Sequence, residues 1–474
     1  MKGQADAPRD RGGLVGIIFF ILGLGTLLPW NFFMTASMYF QGRLNTTEWS
    51  DGEVVVRKEY YFNNWMTLLS QLPLLLFTLL NSILYQKVSE AVRIAGSFVA
   101  ILFFFVFTAI LVKVDMGTDR FFSVTMATIW FINSFGAVVQ GSLFGLVGQM
   151  PPKYSGFFMS GQGLAGTFAA LAMIFAIASE ADSETAALGY FITPCIGTLV
   201  TLLSYVLLPR LEFAQHYLNR GGRYETDASH ELLDESSLTE KSKLNANGGV
   251  QANGAAAAVA AAAAEDPGAS LETNVVPGVE PARQATVTLD EGRTEPKKAS
   301  VMEVFKQIWV MAFCVTFVFT VTLSVFPAVA ADVRTYSPEG TWERYFLSVC
   351  CFLVFNVNDW LGRTVTTWVH WPRKDSVVFP VLVGCRVVFV PLIMLCNVQS
   401  RWLLPVYFPH DAAFAVLMAL FAFSSGYFVC LSMTYAPQMV AAKDAETAGA
   451  LMTFFLALGL SCGAALSFAL RALV

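Results

Sequence analysis

In the run Asn356-Val357-Asn358-Asp359-Trp360-Leu361-Gly362-Arg363, an aspartate and an arginine stand four residues apart within a long apolar stretch. Helical spacing puts both on one face. A carboxylate accepts and a guanidinium donates several hydrogen bonds, a combination that suits the hydroxyls and ring heteroatoms of a polar organic solute. A charged side chain at bilayer depth costs roughly 2.5 to 3.5 kcal/mol on insertion scales, so such groups are kept where they face a protein interior or a water-filled path. Asp359 and Arg363 are therefore the first candidates for a solute site. A structural reading stands beside it: the two neutralise each other, or Asp359 pairs with Arg386 of the following apolar stretch as a latch.

Uncharged polar residues extend the set. Pro29 interrupts a helical pattern and frees a backbone carbonyl, and Trp30 and Asn31 follow at once, a flat ring beside an amide. They stack on and bond to a solute ring, or Trp30 anchors at the membrane interface. Gln71, two residues before Pro73, and Gln140 each carry donor and acceptor capacity in apolar surroundings. They face a solute or serve as interhelical glue, typically worth only about 0.6 kcal/mol.

The elements that position these groups must be membrane helices. The chain is 55% hydrophobic and only 14% charged, with a mean hydropathy of +0.56, which makes it an integral membrane protein. Apolar windows long enough for a core of roughly 30 Å number about eleven. They centre near Leu24, Leu75, Phe104, Ser134, Ala170, Leu199, Phe317, Phe355, Val388, Phe421 and Leu460. The expected fold is an all-α polytopic membrane protein. Gly141-x-x-x-Gly145, Gly459-x-x-x-Gly463 and the run Ser160–Gly166 predict close helix packing.

Residues 1–13 form a polar tail and 14–208 a first group of about six spans, with an outside loop at about 38–61. Residues 209–300 read as a disordered cytosolic linker, rich in Gly, Asn, Ser, Glu and Lys around an alanine tract at Ala255–Ala264. Residues 301–474 hold about five further spans. The sequon Asn45-Thr46-Thr47 marks Asn45 as a glycosylation site and its loop as external. A modest excess of Lys and Arg in the other set of loops agrees, placing the amino terminus in the cytosol and the carboxyl terminus outside. Basic residues before Ser300 permit phosphorylation there.

The net charge of −5 gives no support to a nucleic-acid partner. All eight cysteines fall in or at the edges of apolar spans without CxxC spacing, so they read as small buried thiols. The four histidines, His216, His230, His370 and His410, lie in the linker or near span ends, which leaves a metal site or an intramembrane enzyme poorly supported. No cofactor and no obligate protein partner is expected; the lipid bilayer is the solvent.

Several longer motifs resemble the equilibrative nucleoside transporters. They are Gly25-Thr26-Leu27-Leu28-Pro29-Trp30-Asn31-Phe32-Phe33, Asn133-Ser134-Phe135-Gly136 with Gln140–Gly145, Ser160–Gly166, Phe326-Pro327-Ala328, Trp342–Phe346, Asp359–Arg363 and Glu446–Ala450. The resemblance covers nearly the whole chain except the linker. It implies an eleven-span variant of the major facilitator fold, with six-span and five-span bundles around a central nucleoside cavity. It further implies that Leu27, Trp30, Met34, Leu74, Gln140, Asn356, Asp359, Arg363 and Leu460 line that cavity, with Phe326 and Phe352 nearby. Gln140 would address the nucleobase, and Asp359 with Arg363 the ribose. The stretches Phe62–Gln71 and Thr453–Gly463 look most like subtype two, which would extend the cargo from nucleosides such as uridine and adenosine to nucleobases such as hypoxanthine. Gly136 instead resembles subtype one, where glycine in this span goes with sensitivity to thioinosine inhibitors.

The expected mechanism is alternating access about a midplane site, by facilitated, sodium-independent diffusion across the plasma membrane. Asp359 has a cation one turn away, which opposes a proton-cycling role. An organic-cation or proton-coupled transporter of the same fold is the nearest alternative, but organic-cation cargo would want an unpaired mid-span acid.

Overall fold

The computed structural model describes residues 8–44, 47–50, 53–56, 60, 62–84, 88–179, 183–218, 300–337, 340–399, 401 and 403–474. By internal contacts the chain divides into one unit formed by Met1–Arg223 with Lys298–Val474 and a second formed by Tyr224–Lys297. The second lies wholly outside the described residues, as does the alanine tract.

Among its described residues the first unit is mainly helical, with one hairpin and two isolated bridges, Val333 to Val398 and Cys396 to Phe408. Its helices are α1 (Leu14–Thr35), the short α2 (Ser37–Leu44), α3 (Phe62–Leu84), α4 (Ser97–Lys113), α5 (Thr118–Gly148), α6 (Pro152–Ala178), α7 (Ser183–Leu207) and α8 (Val301–Val325). After these come α9 (Thr341–Val365), α10 (Val378–Met394), α11 (Asp411–Tyr435) and α12 (Ala445–Leu473). The middle of α9, Leu347–Leu353, is a π-helical stretch. Within the loop expected at 38–61, strands Thr47–Ser50 and Glu53–Val56 pair antiparallel, Thr47 opposite Val56, so the fold departs from purely α at that point.

Among the described residues, nine helices are long and apolar enough to cross a bilayer. The other two windows, in α3 and α10, hold shorter apolar stretches, Leu68–Ile83 and Val378–Met394. A helix rises about 1.5 Å per residue, so the α10 stretch reaches only about 26 Å, and Arg386 with a tighter 3-10 turn at Arg386–Val388 breaks its apolar run.

The body turns its apolar side chains outward as well as inward, as a bilayer solvent requires. Phe175 is 72% exposed and Phe103 63%, whereas Gln162 and Arg386 are 2% exposed. Burying such groups is tolerable only when they are bonded. Arg386 donates to the carbonyls of Val318 (3.0 Å) and Phe421 (3.2 Å) and to the hydroxyls of Thr322 (3.1 Å) and Ser424 (3.0 Å), binding α8, α10 and α11 together.

Small residues bring the helices into backbone contact, as their spacing predicts. On α12, Gly459 and Gly463 lie against α8, where a Cβ at either would press on Thr316 or Leu323. Thr316 and Thr320 hydroxyls donate to the Phe455 and Gly459 carbonyls across the same line, at 3.0 and 3.3 Å. The run Ser160–Gly166 seats α6 between two partners: a Cβ at Gly161 would strike the Phe20 carbonyl of α1, and one at Gly166 would strike the Asn356 side chain of α9.

Either side of the 219–299 segment, the described residues end at Leu218 and resume at Ser300. Ser300 caps α8: its hydroxyl accepts from the Met302 N–H at 3.3 Å, and Glu303 accepts from the Ser300 N–H at 2.9 Å. Residues 212–218, expected as unpacked linker, are helical instead. Phe213 is buried against Tyr154, with ring centroids 5.3 Å apart. An apolar stripe of Phe213, Ala214 and Tyr217 covers the end of α6 and extends the packed body past Pro209.

Candidate functional site

Asp359 and Arg363 lie in the last helical turns of α9, 8% and 7% exposed. Arg363 Nε donates to Asp359 Oδ2 at 2.7 Å, the i, i+4 pair that the spacing predicts. Close packing fixes the aspartate in place: a Cβ at Gly426 of α11 would strike the Asp359 carbonyl, so only glycine lets the two helices approach this far.

The pair does not end on α9. Arg363 Nη1 donates to Gln162 Oε1 of α6 at 3.4 Å, and Gln162 Nε2 donates to the Thr26 hydroxyl of α1 at 3.1 Å. Thr26 in turn donates to the Gly23 carbonyl at 2.7 Å. A buried polar line thus crosses from the second half of the chain through α6 to the first span. Beside it, Trp360 Nε1 donates to Ser160 at 3.2 Å, and Ser160 meets the Thr364 hydroxyl at 2.8 Å.

Two polar atoms of this cluster remain unspent. Asp359 Oδ1 and Arg363 Nη2 have no hydrogen bond to another described residue. One accepts and the other donates. A vicinal diol offers the complementary pair, and hydrogen bonds that include a charged partner are the stronger kind.

The other sequence-predicted residues fall into three groups. Asn356, one turn before Asp359, donates to the Phe352 carbonyl at 2.9 Å and turns its Oδ1 toward Gly166. Phe326 meets Phe352 edge-on at 5.9 Å and stacks on Phe355 at 3.8 Å. On α1, Leu27 packs beside Leu28, Phe32 and Ala165, Asn31 donates to the Leu27 carbonyl at 2.8 Å, and Trp30 is half-buried. Met34 belongs to α1, but its side chain lies outside the described residues, as does Asn45.

Gln71, Leu74 and Gln140 sit on α3 and α5, and Leu460 on α12; no hydrogen bond among the described residues joins them to the Asp359 cluster. Gln140 is 7% exposed. Gln71 Oε1 is buried without a hydrogen bond to another described residue, an acceptor that costs free energy until a donor reaches it. Leu74 is half-buried and its carbonyl accepts from Thr78 at 2.7 Å. Leu460 packs against the main core. Around Gly136 of α5 a Cβ would meet nothing within 4 Å, so a larger residue there would fit without displacing a neighbour. The Asp359 to Arg386 latch is not formed, since Arg386 spends its donors on α8 and α11.

Residues 126–472 match the family described as Nucleoside transporter. The chain belongs to that family. It is 52% identical to equilibrative nucleoside transporter 2 of Rattus norvegicus, over 99% of this chain and 100% of that protein. Against equilibrative nucleoside transporter 1 of Homo sapiens the identity is 45%, over 98% of this chain and 99% of the other. In fold, the nucleoside transporter chain is similar to the major facilitator superfamily proton:xylose symporter XylE bound to 6-bromo-6-deoxy-D-glucose, with a TM-score of 0.52, 12% identity, and coverage of 94% of this chain and 85% of the other.

Gln162 and Thr26 were absent from the sequence-derived site, and so was a second polar crossing between the halves. Arg93, just before α4, pairs with Glu446 of α12 at 3.3 Å and also donates to Ser142 of α5 at 3.2 Å. Ser82 donates to the Ala450 carbonyl at 3.1 Å, and Thr434 to the Ser155 hydroxyl at 3.0 Å. These contacts join the two halves at the end of the body that carries the α5–α6 turn.

Proposed function

We propose that this chain carries purine and pyrimidine nucleosides across the membrane by facilitated diffusion, with the ribose held by Asp359 and Arg363. Membership of the nucleoside transporter family makes it a multi-pass transporter rather than an enzyme. The observation that carries the site assignment is the unspent acceptor and donor on Asp359 and Arg363, within the polar line that joins α1, α6 and α9. Hydroxyls at the 2′ and 3′ positions of a nucleoside match that pair.

Gln140, and Gln71, whose buried oxygen has no bond to another described residue, are assigned to the nucleobase. Leu27, Trp30, Asn31, Met34, Leu74, Phe326, Phe352, Asn356 and Leu460 complete the proposed lining, with Gly136 setting inhibitor sensitivity. The stronger likeness to subtype two supports nucleobases such as hypoxanthine as additional cargo. Eleven spans are proposed by counting α3 and α10 with the nine longer helices, six before the 219–299 segment and five after it. That segment is proposed as a cytosolic linker, which puts the amino terminus in the cytosol, the carboxyl terminus outside and the protein in the plasma membrane.

Cells that take up labelled uridine through this chain provide the test. Unlabelled adenosine and hypoxanthine are expected to reduce the uptake, and tetraethylammonium to leave it unchanged. The Asp359 carboxylate is ion-paired, which disfavours an organic cation. Inhibition by tetraethylammonium alone would overturn the cargo assignment, and indifference to hypoxanthine would remove nucleobases from it.

The orientation has its own test. Asn45→Gln is expected to collapse a glycosidase-sensitive band while uptake per surface molecule stays nearly intact. An unchanged band would mean that the loop before α3 faces the cytosol or that the sequon is unused.

A further inference from the structure

Where the α5–α6 turn meets the α11–α12 connection, a cavity of about 230 Å³ lies between the two halves. Val147 and Gln149 line it from the first half, Met433 and Val440 from the second. Among the described residues, no charged side chain lines it. Of its polar groups, the Ser155 and Thr434 hydroxyls are bonded to each other across the seam at 3.0 Å, and Gln438 Nε2 donates to the Thr434 carbonyl at 2.9 Å. The Gln149 carboxamide makes no hydrogen bond to another described residue. The Gln149 carboxamide therefore offers a donor and an acceptor side by side, and the Gln438 Oε1 adds an acceptor, within an uncharged lining that is part polar and part apolar. Met433 adds a thioether of the kind that sits well against aromatic rings.

We propose that this cavity is an inhibitory site for a small neutral aromatic lactam or amide, bound through the Gln149 carboxamide and held only while the two halves are closed together at this end. A carboxamide pairs with a lactam through two complementary bonds. The volume lies below the roughly 300 to 1,000 Å³ of drug-sized pockets, which limits the occupant to about two fused rings. Charged ligands would pay a desolvation penalty with no counter-ion in the walls.

The consequence for transport rests on the alternating-access reading given above. Because both halves supply the walls, the site exists in one state and is torn apart in the other. A ligand with such differential affinity shifts the population toward the state it fits. Bound lactam would hold this end shut, leaving the Asp359 site free to take uridine yet unable to release it on that side. Turnover falls without competition.

Isoquinolin-1-one is a suitable probe. Equilibrium dialysis of the labelled lactam with the purified full chain is expected to give saturable binding. Gln149→Leu should weaken it about fivefold to a hundredfold, the range for losing two neutral hydrogen bonds of about 0.5 to 1.5 kcal/mol each. Ala442→Phe, a substitution at an exposed position on the cavity rim, should abolish it. In proteoliposomes the lactam should lower the maximal rate of uridine exchange with KM unchanged or reduced. Absence of saturable binding, binding indifferent to both variants, or a raised KM at constant maximal rate would each overturn the proposal. If the lactam binds as described but the protein moves no uridine, the site stands and the transport reading falls.

Discussion

Replacing Asp359 by asparagine is expected to weaken uridine binding by about tenfold to a hundredfold, with a smaller loss for hypoxanthine, which has no ribose. The carboxylate spends one oxygen on Arg363 at 2.7 Å and keeps the other. A hydrogen bond to a charged group is worth roughly 1.5 to 3 kcal/mol, and each 1.4 kcal/mol is a factor of ten. Asparagine keeps the shape and an acceptor for Arg363 but removes the charge. A competing effect runs through folding: breaking a buried ion pair costs about 3 to 5 kcal/mol when it leaves the partner uncompensated. That loss would lower the amount of folded protein without distinguishing cargoes. The deciding quantity is the ratio of uridine to hypoxanthine affinity per surface molecule. Equal losses for both would make the pair a structural latch on Gln162 and α6.

A valine at Gly449 is expected to cut uridine exchange by about fivefold to a hundredfold while the protein still reaches the surface. The Cβ of residue 449 would strike the carbonyl of Phe144, and the next nearest atoms also belong to the α5 backbone. No rotamer relieves that clash; α5 and α12 must separate. Overpacking of this kind costs roughly 1 to 3 kcal/mol, charged here against the single state in which the halves meet at this end. Alternating access needs that state once per cycle. As a control, Gly384→Val on α10, where a Cβ meets nothing within 4 Å, is expected to keep its flux. Wild-type exchange in Gly449→Val would mean that closure of this seam is not part of the cycle.

Much of this arrangement was legible in local spacing, because i, i+4 partners and small-residue repeats report on a helix face. Asp359 with Arg363 and the Gly459 and Gly463 contacts are of that kind. The partners of Gln162 were not. Thr26 is 136 residues away and Arg363 is 201 away, and a glutamine within a run of small residues reads as packing until the facing helix is known. Its cost was the available signal: a buried amide in α6 must be bonded to something. Arg93 and Glu446, separated by 353 residues, gave no local hint of their pairing. At the linker boundary the polar composition masks a short apolar stripe, Phe213, Ala214 and Tyr217, whose burial against Tyr154 only the fold reveals. Ser300 and Glu303 have the spacing of a capping box, a local signal for the start of α8.

The most direct test of facilitated nucleoside transport is the end point of uridine entry into proteoliposomes that hold only this purified chain. With no ion gradient imposed, labelled uridine is expected to reach the same concentration inside and out, and an imposed proton or sodium gradient should leave that end point unchanged. Sustained accumulation driven by either gradient would contradict the account.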